Sequence, residues 1–352
     1  MKNYIPSLNG LRALSILMVI SAHVNGWSLQ QRIDPKFPFF FFNGTLGVNI
    51  FFVISGFLIT TLLVEEEKLT GNISMKKFYA RRMLRIFPAF YFLLFVYFIL
   101  ECTGLIYIHP NSWATSFTYT KYFPIPNGSE RFTGHFWSLS VEEHFYLFWP
   151  FVFKYLKKIR NKIALAIIII APFLRLLGDK TGIPILKVDT FFYSMDALMI
   201  GCLFAIYKNK ILAFLNRLAS INKALIYLPL FLLVLLHYTD DITLRYIYSL
   251  KIITVPFGTL GTLGSVSIGL MILMSSNFSN NAWYSFLNNP VMNYIGKLSY
   301  SLYLWQQIFF SKALTPLNQF PLNLLFIFIA GSLSYYLIER PFLTLKSKFE
   351  TV

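Results

Sequence analysis

Ten mostly apolar stretches run along the chain, at about 9–27, 44–64, 86–106, 137–156, 163–178, 190–207, 223–238, 250–275, 294–312 and 322–338. A helix that crosses a bilayer needs roughly 20 such residues. The pattern therefore predicts an all-α, polytopic membrane protein with about ten transmembrane helices. The first, fourth and ninth stretches carry charged or strongly polar groups, and the fifth and seventh are short. A further apolar run at 211–218 is too short to span and reads as an interfacial segment. Connections are mostly short. The longest, at about 107–136, carries Pro110, Pro124, Pro126, Asn127 and Gly128. Nothing suggests a second, soluble domain or a repeat, so residues 1–352 read as a single transmembrane domain.

Composition agrees with this pattern. The chain is 56% hydrophobic and 13% charged, against about 25% charged in soluble domains. A net charge of +16 would ordinarily raise nucleic-acid binding, but such surfaces gather Lys and Arg on a solvated domain. Here the basic residues sit between apolar runs, and no nucleic-acid partner is expected. With both termini placed in the cytoplasm, roughly two-thirds of the 31 basic residues fall on the cytoplasmic side, the sign that the positive-inside rule requires. The densest clusters, 76–85 and 154–162, then share one face. Cys102 and Cys202 are isolated and imply neither a disulfide framework nor a cysteine metal site. No small-residue cleavage site follows the first apolar run, which is read as a retained helix.

Ionisable groups inside membrane helices are costly and are functional candidates by default. His23 lies toward the end of the first stretch, eleven residues after Arg12. That is about three turns, which puts both on nearly one face, roughly 16 Å apart along the axis. His23 reads either as a general base, since imidazole titrates near neutrality, or as a hydrogen-bonding group at a helix contact. In the block Lys76-Lys77-Phe78-Tyr79-Ala80-Arg81-Arg82-Met83-Leu84-Arg85, the arginines stand at i, i+3 and i, i+4. A helix presents them together, and guanidinium pairs suit phosphate. Lys76 and Lys77 read as topology anchors.

The third constellation is Trp137-Ser138-Leu139-Ser140-Val141-Glu142-Glu143-His144. Adjacent carboxylates lie about 100° apart on a helix, so one is expected inside the bundle and the other at water or headgroups. An ion pair with Arg12 or Arg85 is the structural alternative. Asp189, Asp196, Arg175 and Glu339 are weaker candidates, and the polar run Gly296 to Gln307 predicts interhelical hydrogen bonds. His109, His135 and His237 show no partner pattern. There is no metal-ligand spacing, phosphate-binding glycine loop or nucleophile elbow.

Taken in order, Leu8-Asn9-Gly10-Leu11-Arg12-Ala13-Leu14 with His23, Gly47-Val48-Asn49-Ile50-Phe51-Phe52-Val53-Ile54-Ser55-Gly56-Phe57, Phe78-Tyr79 with Arg81-Arg82 and Arg85, Trp137-Ser138-Leu139-Ser140-Val141-Glu142-Glu143, Tyr300-Ser301-Leu302-Tyr303-Leu304-Trp305 and Glu339-Arg340-Pro341-Phe342 resemble the family-three membrane acyltransferases. The resemblance covers nearly the whole chain. It implies a multi-pass enzyme of the bacterial inner membrane. Members move an acyl group, most often acetyl, from cytoplasmic acyl-CoA to a hydroxyl of an extracytoplasmic or lipid-linked acceptor. Such acceptors include lipopolysaccharide O-antigen, capsule, exopolysaccharide and peptidoglycan in the cell envelope.

The resemblance implies that His23, Arg82 and Arg85 are essential, with Arg12 and Glu142 at further recurring positions. Topology and resemblance together make His23 and Glu142 the catalytic candidates and have Arg81, Arg82 and Arg85 bind acyl-CoA. Arg12, Glu143 and Glu339 support them. No bound cofactor is implied, since acyl-CoA, most often acetyl-CoA, enters as donor substrate. Three positions depart from the family pattern: Asn9 stands where many members read Asp, His144 where many read Gln, and Gln306 where many read His. Some relatives carry a fused extracytoplasmic hydrolase-like domain, and the expectation here is action without one or with a separate partner. His23 would act as base on the hydroxyl or as an acylated nucleophile, with Glu142 orienting or charge-balancing it. The rival reading is a transporter or flippase for a lipid-linked saccharide, in which the same buried groups bind without chemistry.

Overall fold

The computed structural model describes residues 5–30, 43–123, 132–186, 190–245, 251–279, 281–311 and 315–349. Asp189 and the loop residues Pro124, Pro126, Asn127 and Gly128 lie outside them. Fifteen α-helices follow one another among the described residues: α1 Leu8–Gln30, α2 Gly44–Thr70, α3 Met75–Cys102, α4 Pro110–Phe117, α5 Phe136–Tyr155, α6 Arg160–Thr181, α7 Phe191–Ile206, α8 Lys208–Ile221, α9 Leu228–Arg245, α10 Lys251–Phe257, α11 Thr262–Asn277, α12 Ala282–Leu287, α13 Pro290–Trp305, α14 Leu322–Ser334 and α15 Arg340–Lys346. No strand occurs among the described residues.

A helix stands at each of the ten apolar stretches, but the expectation of ten spans is not met on length and hydropathy alone. Among the described residues, six segments are long and apolar enough to cross a membrane: 44–70, 75–102, 160–181, 184–206, 251–277 and 322–349. The run around 211–218 becomes α8, a 14-residue helix whose one buried residue is Leu215, in keeping with an interfacial element.

The helix ends follow ordinary capping chemistry. Asn43 Oδ1 accepts from the Leu46 N–H at 2.8 Å to start α2, and Gly71, at φ 71°, closes it in the left-handed region that glycine tolerates. Ser74 caps α3, so this helix begins about eleven residues before its apolar stretch and carries the whole basic block. Two predicted single spans are interrupted. The eighth breaks between α10 and α11, where Pro256 ends the first helix and the Thr259 N–H turns to the Asp240 carboxylate at 2.7 Å. The tenth widens into a π-helix at Tyr335–Glu339 just before Pro341. Pro341 would clash with the carbonyl four residues back in a regular helix, and the wider turn relieves that conflict.

α2 is the centre of the bundle. In its most apolar window 72% is buried, against 28% for α6 and 33% for α3, and it packs on α1, α5, α7 and α11. The outer helices present Phe95, Phe98, Phe151, Phe173 and Leu337 outward, as a lipid-facing surface should. Glycine permits the closest contact, α2 on α7. A Cβ on Gly56 would lie 2.0 Å from the Leu198 carbonyl oxygen, and one on Gly201 would lie 2.2 Å from that of Val53, so the two backbones touch.

Buried polar groups fasten other helices. Arg175 and Asp196, weak functional candidates in the sequence, form an ion pair that is 1% and 0% exposed. Arg175 also donates to the carbonyls of Tyr193 and Pro256, and Asp196 accepts from Thr262 Oγ1 at 2.7 Å. With its hydrogen bonds filled, the pair fastens α6, α7 and the α10–α11 break, a structural role.

The two basic clusters stand at the same end of the bundle. Arg81 pairs with Glu66 at 2.9 Å, Lys157 and Arg160 pair with Glu67 at 2.8 and 2.9 Å, and Lys154 Nζ donates to the Ile73 carbonyl at 2.7 Å. The C-terminal turn joins them, since Arg81 also donates to the Phe349 carbonyl at 2.9 Å.

Candidate active site

The five helices that carry the polar sequence blocks converge on one cavity. α1 contributes Arg12, α2 Ser55, α3 Arg82 and Arg85, α5 Glu142, Glu143 and Tyr146, and α13 Ser299, Tyr300 and Tyr303. Apolar walls come from Val48, Phe51, Phe52, Leu58, Ile59, Ile86 and Leu139. The block of three arginines divides. Arg81 turns away to Glu66 and the Phe349 carbonyl, at the helix end. Arg82 and Arg85 turn inward, where Arg12 meets them from α1.

None of the three inward guanidinium groups forms an ion pair among the described residues. Arg82 is buried and its Nε has no acceptor. Its guanidinium sits 5.8 Å from the centre of the Phe78 ring and 5.7 Å from that of Tyr146, which steadies a cation without neutralising it. Buried charges are ordinarily paired. Three guanidinium groups without an ion pair among the described residues therefore line a cavity that the Glu142 and Glu143 carboxylates also line, and guanidinium groups suit anions such as phosphate.

Both carboxylates face the cavity, a correction to the expectation that Glu142 and Glu143 point to different environments. The inner face of α5 spans Ser138, Leu139, Glu142, Glu143 and Tyr146, wide enough to take both. Nor does Glu142 form an ion pair with Arg12 or Arg85, the structural alternative, among the described residues. Its Oε1 accepts from Ser55 Oγ at 2.8 Å and its Oε2 from the Tyr146 hydroxyl at 3.1 Å. The Tyr146 and Ser55 hydroxyl oxygens also lie 3.1 Å apart, which completes a triangle across α2 and α5. Glu339, in the π-helix, accepts from Ser301 Oγ at 3.0 Å, and the cations whose fields reach it are Arg85 and Arg12. Tyr300 ties α13 to α3 through the Ile86 carbonyl at 2.8 Å.

His23 does not line this cavity. It lies farther along α1, half-buried, with its ring centre 5.8 Å from that of Phe310. Nδ1 is 3.2 Å from Gln306 Oε1, so the partner of His23 is Gln306 and not Glu142. His135, which had no role in the sequence, is buried nearby. Its Nε2 donates to the Leu304 carbonyl at 3.2 Å, and Tyr303 donates to the His135 carbonyl at 2.8 Å. His144 turns back on its own helix, Nδ1 donating to the Ser140 carbonyl at 2.8 Å. Tyr146, Tyr300 and Tyr303 were missed as site residues. Tyr146 had a signal, standing one turn after Glu142; the other two lay in a run that reads as generic interhelical polarity.

The fold is a helical membrane bundle with arginines lining an inner cavity and, three turns beyond Arg12 on α1, a histidine. The chain belongs to the family-three acyltransferases: residues 5–338 match that family's acyltransferase domain. It is similar to the Staphylococcus aureus (strain NCTC 8325 / PS 47) O-acetyltransferase OatA, 29% identical over 378 residues. It is also similar to SACOL0978 of Staphylococcus aureus (strain COL), provisionally named an O-acetyltransferase, 31% identical over 372 residues. In both cases 96% of this chain is covered, and the chain spans 57% of the relative's length. No solved structure matches.

Proposed function

We propose that this chain is an integral membrane O-acyltransferase of the bacterial inner membrane. It moves an acyl group, acetyl before others, from cytoplasmic acyl-CoA to a hydroxyl of an extracytoplasmic or lipid-linked saccharide. One observation carries the reading: Arg12, Arg82 and Arg85 face one cavity without an ion-pair partner among the described residues. Acyl-CoA brings phosphates to such a receptor and a long, slender arm to carry its thioester inward. The basic clusters at this end of the bundle support a cytoplasmic orientation for it, with both termini on that side.

His23, farther along α1, meets the acceptor. The hydroxyl oxygen attacks the thioester carbonyl while His23 Nε2 takes its proton. The C–S bond breaks, an ester forms and the CoA sulfur leaves, to be protonated by the imidazolium. Glu142, fixed by Ser55 and Tyr146, is a carboxylate on the donor side. Glu143 and Glu339 balance the arginines, and Arg81 holds the entrance helix in place.

The test uses membranes containing the full chain, labelled acetyl-CoA and extracted envelope glycans. His23→Ala should abolish transfer with donor binding kept, and Arg82→Ala should weaken donor binding. Full acceptor labelling by His23→Ala at normal protein levels would overturn the reading. Absence of acetyl-CoA binding by the purified chain would instead favour transport of a lipid-linked saccharide.

A further inference from the structure

α13 ends at Trp305, and residues Gln306–Phe310 tighten into a 3₁₀ turn. The turn returns the Gln306 side chain to α1, where it is completely buried. Its amide is oriented by two contacts. Nε2 donates to the Tyr303 carbonyl at 3.3 Å, and Oε1 lies 3.2 Å from His23 Nδ1. A backbone carbonyl can only accept, so the amide NH₂ must face Tyr303 and the amide oxygen must face His23. An amide oxygen also only accepts, so His23 Nδ1 carries the proton and Nε2 keeps its lone pair. Among the described residues Gln306 is the hydrogen-bond partner that His23 has. The neighbouring His135 is engaged elsewhere, donating from Nε2 to the Leu304 carbonyl.

We propose that Gln306 is the positioning residue of the histidine base, holding His23 as the Nδ1–H tautomer with Nε2 free for the acceptor hydroxyl. This rests on the acyltransferase reading and deepens it. The neutral amide sets tautomer and ring orientation as a carboxylate would, but it supplies no charge to stabilise imidazolium. His23 therefore accepts a proton only while the reaction passes it on. Tyr303 connects this device to the donor cavity: its carbonyl holds Gln306, while its phenol lines the cavity and lies 2.6 Å from Ser138 Oγ.

The test combines a spectroscopic and a kinetic readout on the full chain in detergent. Nitrogen-15 histidine labelling, with His23 assigned by its loss in His23→Ala, should show Nδ1 protonated in the native chain. Gln306→Met, of similar length but lacking an amide oxygen, should shift His23 toward the Nε2–H form. It should lower kcat on the order of 100-fold with little change in the acetyl-CoA KM, since a wrong tautomer disables the base and not donor binding. Gln306→Glu restores an acceptor at the same reach and should recover kcat to within about tenfold of native. An Nε2–H signal for His23 in the native chain, or native kcat in a folded Gln306→Met protein, overturns the proposal. The tautomer is read without turnover, so it judges Gln306 separately. A native chain with the expected tautomer that transfers no acetyl group overturns the acyltransferase reading instead.

Discussion

Arg81 and Arg82 are neighbours in sequence and opposites in use. A step of about 100° along the helix separates them. One closes a buried ion pair with Glu66 at 2.9 Å, and the other is left without an acceptor at Nε inside the cavity. Their substitutions should therefore differ in kind. Arg82→Ala removes charge-assisted hydrogen bonds worth about 1.5–3 kcal/mol each, so titration calorimetry should show acetyl-CoA binding weakened by at least about tenfold with the melting temperature near native. Arg81→Ala leaves Glu66 buried and uncompensated, and should cost about 3–5 kcal/mol of stability with binding per folded molecule preserved. Equal losses of affinity in both variants would contradict this division. The basic block was legible because a run of arginines ahead of an apolar helix is conspicuous. Which arginine faces inward was not, since i, i+3 and i, i+4 spacing groups all three on one side of the helix, and only the neighbours decide between a partner and a cavity.

At the level of the helices, assembly depends on where backbones are allowed to touch. α2 and α7 meet through Gly56 and Gly201, and a Cβ on either would fall about 2 Å from a carbonyl oxygen of the other helix. Gly56→Leu should prevent this approach and abolish monodisperse protein in size-exclusion chromatography, while Ala171→Gly on peripheral α6 should elute as native. A folded Gly56→Leu protein would show that the contact is dispensable. Arg175 and Asp196 secure the neighbouring junction of α6, α7 and the α10–α11 break. Arg175→Met strands a buried carboxylate and should cost about 3–5 kcal/mol, visible as a lowered thermal midpoint. Asp196→Asn in that background should recover part of the loss, since removing both charges ends the imbalance. The apolar stretches located the helices. They could not place their ends, because α3 owes its early start to the Ser74 cap and the tenth stretch widens at Pro341.

For the molecule as a whole, the basic clusters give a directly testable orientation. Lys77 and Lys158 stand at one end, while Cys102 lies at the opposite end of α3 and is exposed. In intact cells an impermeant maleimide should label Cys102, whereas Lys77→Cys and Lys158→Cys in a Cys102→Ser background should react only after permeabilisation. Cys202 is buried and should stay unreactive throughout. Labelling of Lys77→Cys from outside would reverse the orientation and place the arginine cavity away from cytoplasmic acyl-CoA. If only one cluster reacts from outside, the shared end drawn by the Glu67 pairs with Lys157 and Arg160 is wrong.

What the sequence determined by itself is the solvent: long apolar runs and sparse charge demand a bilayer, because backbone and side chains must both be satisfied there. It also singled out the few ionisable groups inside or at the ends of such runs, His23, Arg12, Arg82, Arg85, Glu142 and Glu339 among them. The tertiary structure alone decided their partners. Glu142 takes Ser55 and Tyr146 where an arginine or His23 was expected, and His23 takes Gln306, 283 residues away. Periodicity specifies which face of a helix a residue occupies, but a partner on another helix depends on how close that helix comes and at what height. Those distances are set by packing, by glycines such as Gly56 and by the turn that ends α13, none of which a linear spacing can encode.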